Sequence, residues 1–278
     1  MEIDNPIPDS SDSASANPPL IRPEEFSSWI VFEDEDLLAI NKPGGIVCHP
    51  SKQGPWSSLV GACREYLDVE TIHLVHRIDR ETSGLVLMAK NRQSARLTQM
   101  AFQNRQVSKT YLAILEGELQ ERVQVSNHLA RDMESPVYIR QTVRKSNSSK
   151  KAETEFIPLI SSGGYTLAKV IPHTGRKHQI RAHAFWLNHP VVADKIYGAD
   201  DTLYLEFIEK GWTPRLEDSL PLRHQALHAY ALSFNVPNFT KTFTAPLTPT
   251  LQAFLRENLQ IEDVEEKLKA ISNPEAAR

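Results

Sequence analysis

The sequence predicts an α+β fold in which a mixed, mostly antiparallel sheet is flanked by helices. Segments with the apolar patterns of strands are interspersed with segments of helical periodicity along the 278 residues. Neighbouring strand segments are joined by short, hairpin-like turns, and few spacings suit the strand–helix–strand units that build parallel sheets. Both observations favour antiparallel pairing over a doubly wound parallel architecture.

The strand pattern recurs throughout the chain. Two short apolar runs flank a polar turn at 33–36, and a continuous apolar run follows a Thr-Ser-Gly turn at 82–84. The predicted strands span residues 30–32, 37–40, 85–89, 111–115, 153–160, 165–171, 225–234 and 241–245. The predicted helices span residues 57–67, 92–105, 177–188 and 249–255.

The helix that follows Asn91 is defined by its start and by its apolar face. Asn91 has a side chain that commonly caps the first turn of a helix, and the helical pattern continues to Arg105. Spacings of three and four residues place Leu97, Met100 and Ala101 on one face. We therefore expect these three side chains to be buried.

Composition divides the chain into three parts. Residues 1–22 are rich in Ser, Pro, Asp and Asn, with almost no large apolar side chains before Leu20, which predicts a disordered tail. Residues 23–257 carry the predicted strands and helices and are expected to form one domain. Residues 258–278 are charged and predict one more helix that frays.

Charge is distributed unevenly, although the net charge of −4 argues against a nucleic-acid partner at first sight. Residues 1–40 hold ten acids and one base, and residues 257–278 hold six acids and three bases. The stretch 41–256 therefore carries 27 bases and 19 acids, a net charge of +8. A basic centre of this kind suits contacts with phosphate groups.

Several classes of protein are disfavoured by the sequence. No apolar run reaches 18 residues, so we expect no membrane span, and the N-terminus lacks the pattern of a secretory signal. The two cysteines, Cys48 and Cys63, have no metal-ligand spacing and are typical of reduced thiols in a cytosolic protein. A cytoplasmic location is therefore expected.

The strongest candidate for chemistry is Asp79 in the segment H-R-I-D-R-E-T-S-G at 76–84. It lies between Arg77 and Arg80, directly before a tight turn and an apolar strand. Nearby cations keep a carboxylate ionised, and an ionised Asp on a loop beside a strand is well placed to act as a nucleophile or base. Taken alone, the segment is more typical of a solvated charged loop, since surface ion pairs are common.

Four segments in the same order resemble the RluA family of pseudouridine synthases, over roughly residues 28–256. They are N-K-P-G-G-I-V-C-H-P at 41–50, H-R-I-D-R-E-T-S-G at 76–84, K-T-Y-L-A at 109–113 and T-G-R-K-H-Q-I-R-A-H at 174–183, the last followed by His-Pro at 189–190 and D-K-I-Y-G at 194–198. The resemblance implies the pseudouridine synthase fold with a central RNA-binding cleft, within a catalytic domain at 23–257. Many members carry an S4-type RNA-binding domain before it, and we expect none in this chain because residues 1–22 are too few to form one. Asn188 and Ala193 stand where members often have glycine.

The resemblance also implies a chemistry and residues that perform it. Converting uridine to pseudouridine breaks the N1–C1′ bond, turns the uracil and rejoins it through C5, which requires no cofactor and no metal. Asp79 matches the catalytic aspartate, by direct attack at C1′ or by way of a glycal intermediate. Arg181 matches the arginine that pairs with it, expected to be bidentate, and Tyr111 matches the aromatic that stacks on the uracil. Leu85 and Ile180 are expected to wall the pocket.

RNA is the implied partner, as ribosomal or transfer RNA, with no obligatory protein partner. A uridine in a stem must be flipped out before it can react. Arg77 matches the arginine that enters the vacated position. The further candidates for RNA contact are Arg80, Arg105, Lys109, Arg176, Lys177 and His178. The segment 140–151, with five bases and no acid, predicts a mobile hairpin tip that could follow phosphates.

Two other functions remain open from the residues. The chain could be an RNA-binding or chaperone module that keeps the fold and uses little catalysis. It could also be a zinc hydrolase built on His178 and His183, although their five-residue spacing does not place both on one helix face and no carboxylate lies between them.

Overall fold

A computed structural model describes residues 19–49, 53–237, 239–261, 263, 264 and 268. The strands are β1 (Ile30–Glu33), β2 (Leu37–Lys42), β3 (His73–Leu74), β4 (Ser83–Ala89), β5 (Val107–Glu116), β6 (Val123–Arg131), β7 (Gln141–Val143), β8 (Lys150–Ser162), β9 (Tyr165–Pro172), β10 (Leu227–Val236) and β11 (Phe239–Thr244). Within the described residues they form one sheet in the order β1-β2-β4-β10-β5-β9-β8-β6-β7, with β3 beside β4 and β11 beside β10.

The sheet is antiparallel at each junction except β4–β10, which is parallel. The predicted α+β fold with a mostly antiparallel mixed sheet is therefore confirmed. Gly84 lies at the parallel junction with φ +105°, and a Cβ there would collide with the backbone of Ala229. Glycine is needed at this position both for its conformation and for the close approach of the two strands.

The helices cover the sheet, and several of them begin at a polar side-chain cap. They are α1 (Pro23–Phe26), α2 (Leu59–Leu67), α3 (Arg92–Gln103), α4 (Gln179–Trp186), α5 (Thr202–Lys210), α6 (Pro214–Ser219) and α7 (Pro249–Leu259). Ser58 accepts the Gly61 N–H at 3.1 Å, and Asn91 accepts the Ser94 N–H at 2.9 Å, as its predicted capping position requires. The four predicted helices are present, with shifted ends.

The buried face of α3 differs from the prediction. Leu97 and Met100 are 38% and 48% exposed, and only Ala101 of the three predicted residues is buried. The inward face is made of small side chains, namely Ser94, Ala95, Thr98 and Ala101. Small residues let the helix pack closely on the sheet, so the larger apolar side chains are the ones that point outward.

Several elements were not predicted from the sequence: α1, β3, β6, β7, α5 and α6. β7 and β8 both pair with β6, on its two sides, so the basic segment 140–151 passes from one side of β6 to the other instead of forming a hairpin tip. Its first residue, Arg140, is largely buried and pairs with Asp201 at 2.8 Å, so it does not follow phosphates.

The ends of the folded domain extend past their predicted limits. Residues 1–18 of the predicted tail lie outside the described residues, but Ile21 is 3% exposed and its N–H donates to the Trp56 carbonyl at 2.7 Å. At the other end Val264 and Leu268 are buried in the core that contains α7, while most of the predicted frayed segment is not described. Among the described helices, none is long and apolar enough to cross a membrane.

Candidate active site

The central strands bring the Asp79 loop and Tyr111 together. Ser83 of β4 pairs with His228 of β10, and Ala229 of β10 pairs with Tyr111 of β5. An open cleft of about 860 Å³ lies over this junction, large enough for a nucleotide-sized ligand. Its lining includes His76, Arg77, Ile78, Asp79, Arg80, Glu81, Thr82, Phe102, Lys109, Tyr111, Ile139, Thr174, Gly175, Arg176, Lys177, His178, Ile180, Arg181, Ile196, Tyr204, Phe207, Ile208 and Gln225.

The Asp79 loop is held from beneath by the segment that contains Lys42. The buried Lys42 ammonium donates to the carbonyls of Pro43 and Arg80 at 2.9 and 3.0 Å. Burial lowers the pKa of Lys42 to about 8, so the group is still mostly protonated at neutral pH. The N-K-P-G-G segment therefore supports the loop and fixes the backbone beside Asp79.

Arg80 stabilises the Asp79 loop in addition to lining the cleft. Its Nε donates to the Gly45 carbonyl at 3.1 Å, the Gly45 N–H donates back to the Arg80 carbonyl at 2.9 Å, and its guanidinium lies 5.4 Å from the Phe207 ring centre. These contacts anchor the loop to α5. Arg80 also lines the cleft, and its contact with RNA stays a prediction.

Arg181 joins two carboxylates. Its Nη1 donates to Asp79 Oδ2 at 3.0 Å, while its Nε and Nη2 donate to Asp194 Oδ2 and Oδ1 at 2.6 and 2.8 Å. Asp194 also accepts the backbone N–H groups of Ile196 and Tyr197. The structure brings Arg181 and Asp79 together as expected, but the two-point contact is made with Asp194, so the expectation of a bidentate pair with Asp79 is wrong.

Asp79 is an ionised carboxylate with a free side. Burial opposes its ionisation, but the Arg181 charge and hydrogen bond outweigh burial and lower the pKa below its usual range. The side chain remains 35% exposed to the cleft. A single hydrogen bond from Arg181 fixes one oxygen, and the carboxylate stays accessible to a ligand.

His178 lies behind Asp79 as a neutral ring. The Tyr197 hydroxyl accepts the Gln141 N–H at 2.8 Å, so its proton is free to point at His178 Nδ1, 3.1 Å away. The remaining proton of a neutral ring is then on Nε2, which lies 4.0 Å from Asp79 Oδ2. Burial, together with the Arg181 charge, lowers the pKa of His178 to about 4. The residue is buried and forms part of the cleft wall, and its contact with RNA stays a prediction.

Tyr111 and Ile180 line the cleft, as predicted, whereas Leu85 does not. Burial and the Asp79 charge raise the pKa of Tyr111, so its hydroxyl keeps its proton at neutral pH. Leu85 is 1% exposed and packs in the core beneath the sheet. The alternation of side chains along β4 explains this, because one residue of a strand faces away from its neighbour.

Cationic side chains surround the cleft. Arg77, Arg176 and Lys177 are exposed at its edge, and Lys109 is half-buried in its wall. Arg105 is exposed just after α3, but unlike the four cations just named it does not line the cleft. We refer to Arg77, Lys109, Arg176 and Lys177 as the basic rim.

Asp194 and Lys195 belong to the D-K-I-Y-G segment at 194–198, but no functional role was predicted for either residue. Lys195 is 1% exposed, donates to Glu81 Oε1 at 2.9 Å, and lies 4.9 Å from the Phe207 ring centre. The signal available was a charged pair next to a mostly apolar run. Ala193 and Asn188, noted as replacements for glycine, both have the left-handed conformation, with φ of 58° and 61°.

The histidines suggested for zinc have separate partners. His178 faces Tyr197, and His183 Nδ1 lies 2.9 Å from Thr154 Oγ1. Among the residues that the structure describes, no group of three or more His, Cys, Asp or Glu side chains is placed to hold a metal ion. The two free cysteines, Cys48 and Cys63, are buried.

Comparison with known sequences identifies the family. The RNA pseudouridylate synthase family model matches residues 36–185. The chain is 34% identical to ribosomal large subunit pseudouridine synthase C of Pasteurella multocida, over 83% of this chain and 68% of that protein. It is 32% identical to an uncharacterised RNA pseudouridine synthase of Mycoplasma pneumoniae, over 87% and 74%. It is 29% identical to ribosomal large subunit pseudouridine synthase D of Borreliella burgdorferi, over 88% and 72%.

The fold agrees with solved structures. Human RNA pseudouridylate synthase domain containing 4 superposes with a TM-score of 0.68 at 24% identity, over 87% of this chain and 96% of that one. Human RNA pseudouridylate synthase domain containing 1 gives 0.65 at 24% identity, over 87% and 94%. The chain belongs to the RNA pseudouridylate synthase family, as the RluA-type segments predicted, and it is an enzyme that isomerises uridine to pseudouridine in RNA.

Proposed function

We propose that Asp79 is the catalytic carboxylate and that the substrate is a uridine of ribosomal RNA flipped into the cleft. The proposal rests on the state of the Asp79 carboxylate. It is ionised, Arg181 fixes one of its oxygens at 3.0 Å, and its side chain is still 35% exposed to a cleft that Tyr111 also lines. A nucleophile or base must be charged, oriented and reachable at once, and Asp79 meets all three conditions.

The steps divide between Asp79 and Tyr111. Asp79 attacks C1′, or removes a proton from C2′, as the N1–C1′ bond breaks. The uracil then turns, and C5 bonds to C1′ as the Asp79–C1′ bond breaks or, on the alternative route, as the proton returns to C2′. The proton on C5 leaves, and N1 gains a proton in its place. Because the pKa of Tyr111 is raised, its phenol starts in the protonated form. We assign Tyr111 to stacking on the base and to passing a proton through its hydroxyl, and not to removing the first proton.

The basic rim accounts for access to a structured RNA. A flipped uridine loses its stacking, which costs a few kcal/mol, and leaves a gap in the helix. Arg77 is exposed, two residues before Asp79 and on the lining of the same cleft, so it is placed to enter that gap. Lys109, Arg176 and Lys177 would contact the phosphates on either side.

Ribosomal RNA is the substrate class we favour because two of the relatives compared above are named for the large ribosomal subunit. Transfer RNA is the alternative that the experiment below must separate. A ribosomal substrate also favours a cytoplasmic location, where the buried Cys48 and Cys63 would remain as thiols.

The decisive experiment measures tritium released from RNA labelled at uracil C5. We expect Asp79→Asn to abolish release while RNA affinity stays within a few-fold, because binding depends mostly on phosphate contacts. Asp218→Asn, an exposed carboxylate outside the cleft, is the matched control and should react like the wild type. Near-normal turnover by Asp79→Asn would overturn the assignment. Ribosomal and transfer RNA from cells that lack the enzyme, offered separately, would identify the substrate class.

A further inference from the structure

A second, smaller groove lies next to the cleft, between α4 and the edge strand β7. Its volume is about 240 Å³, and its lining residues are Arg140, Gln141, Thr142, Val143, Ala182, Phe185, Trp186 and Asn188. We call it the α4–β7 groove. It is smaller than most small-molecule sites, which span roughly 300–1,000 Å³. A shallow groove of this size suits one flat group that lies on the surface more than an enclosed ligand.

Two aromatic rings are exposed in the groove. Phe185 and Trp186 are 40% and 51% exposed at the end of α4. The Arg140 guanidinium lies 4.7 Å from the Phe185 ring centre and is itself paired with Asp201 at 2.8 Å and with Asp132 at 3.5 Å. Because these carboxylates neutralise Arg140, this residue fixes the Phe185 ring instead of offering a phosphate site.

The charge around the groove favours a polyanion. None of its lining residues is a carboxylate. The strand that forms one wall leads directly into Arg144 and Lys145, both exposed, and β8 begins at the exposed Lys150. Lys151 contributes less, because its ammonium is paired with Glu153 at 2.6 Å. Exposed aromatic rings beside exposed cations are the combination that binds single-stranded nucleic acid.

The groove and the cleft are formed by adjoining residues of the same two segments. Ile139 lines the cleft and the next residue, Arg140, lines the groove; in the same way Arg181 lines the cleft and Ala182 the groove. Arg176 of the basic rim donates through Nε to the Lys151 carbonyl at 3.0 Å. The basic segment 144–151 therefore borders the cleft at one end and the groove at the other.

We propose that the α4–β7 groove binds RNA outside the target nucleotide, with a base stacked on Trp186 and phosphates near Arg144 and Lys145. The inference rests on the proposed entry of RNA into the Asp79 cleft. The groove would extend the RNA contact surface of the enzyme beyond the flipped uridine. The two aromatic side chains on α4, Phe185 and Trp186, would then contribute to the affinity for longer RNA.

The experiment compares oligouridylates of two lengths. Single-strand sites cover roughly 4–16 nucleotides, so fluorescein-labelled oligomers of about 5 and about 20 uridines separate the cleft from an extended footprint. We expect Trp186→Ala to weaken binding of the longer oligomer about tenfold and of the shorter one less than about twofold. Met100→Ala, an apolar side chain of similar exposure on α3 and outside both pockets, should change neither.

Two further measurements keep the result interpretable. In the wild type, the longer oligomer should quench tryptophan fluorescence, and Trp186→Phe should lose that quenching while retaining most of the affinity. Equal affinity of Trp186→Ala and wild type for the longer oligomer, an equal loss on both lengths, or a wild-type dimer that Trp186→Ala disrupts in light scattering would each overturn the inference. Lys109→Ala should weaken both lengths; if it weakens neither, the failure belongs to the cleft proposal instead.

Discussion

Replacing Asp194 with Asn tests whether the buried carboxylate positions Arg181. The side chains of Arg181 and Asp194 are 5% and 0% exposed, and they share two hydrogen bonds at 2.6 and 2.8 Å. Removing one partner of such a pair leaves the other charge buried, which costs roughly 3–5 kcal/mol of stability. The Asn oxygen can still accept the N–H groups of Ile196 and Tyr197, and Asp79 remains as a counter-charge, so we expect the lower end, about 3 kcal/mol.

Activity should fall together with stability. With Asp194 neutral, the guanidinium fork of Arg181 is free to turn toward Asp79 and bind both of its oxygens. The carboxylate would then be displaced from its cleft position, and a displacement of about 1 Å typically costs on the order of 100-fold in rate. Asp194 also acts against ionisation of Asp79, so its removal should shift the acid limb of the pH profile to lower pH.

The pH dependence of the stability loss gives a separate check. Burial raises the pKa of Asp194, but Arg181 and the backbone donors outweigh burial and hold it below 3.8. A depressed pKa contributes stability above the unfolded value and loses it as the pH falls through the folded value. The difference between wild type and Asp194→Asn should therefore be constant at neutral pH and shrink in acid below about pH 4.

Urea unfolding and single-turnover tritium release are the two assays. Asp200→Asn is the control, because Asp200 and Arg215 are also 2.6 Å apart but 43% and 50% exposed. Exposed pairs contribute about 0–1 kcal/mol, so the control should lose little. Equal losses of stability in the two variants, or full activity in Asp194→Asn, would refute the reasoning that burial, and not distance, gives the pair its importance.

Three other outcomes follow from the structure. Arg77→Ala should slow the reaction far more on a target in a stacked stem than on a short single strand, where unstacking is nearly free. Arg181→Ala should cripple the reaction on both substrates. Equal losses on both substrates for Arg77→Ala would mean that Arg77 serves Asp79 directly. RNA affinity should fall with salt, by roughly 0.7–0.9 in log affinity per log unit of salt for each phosphate contacted, and a flat response would mean that the basic rim does not bind RNA. Ala193→Gly should stabilise the fold by about 0.5 kcal/mol in urea unfolding, because Ala193 has φ 58°, and a loss of stability would contradict this.

The fold could be predicted where apolar side chains dominate an element. β2 and β4 are buried along most of their length, and their continuous apolar runs marked them as strands. β6 was missed because its pattern is mixed, with Val125 and Leu129 buried among polar residues near the edge of the sheet. α5 was missed because only two of its residues, Leu203 and Phe207, mark its inward face.

The part of the site that could be predicted consists of residues within recognisable sequence segments. The segments around Asp79, Tyr111 and Arg181 named three side chains that the fold brings to one cleft. It was not predictable that Arg181 binds two carboxylates. The second contact depends on the path of the chain after α4, which brings Asp194 back against that helix. Burial decided the position of Leu85, which is in the right segment but has a side chain that packs in the core.

The charges of the site suit the two halves of its substrate. Asp79 and Asp194 are ionised and share the single charge of Arg181, while His178 is neutral, so these four side chains carry a net negative charge. The basic rim lies around them at the edge of the same cleft. Phosphates are attracted to the rim, whereas the sugar gains positive character at C1′ as its bond to N1 breaks, as in other glycosidic cleavages. In the proposed complex, an excess of one carboxylate beneath that carbon would stabilise the developing charge more than it stabilises the neutral nucleoside, and such a difference lowers a barrier. Asp194 thus has a second consequence: by neutralising Arg181 it keeps the centre of an RNA-binding cleft anionic.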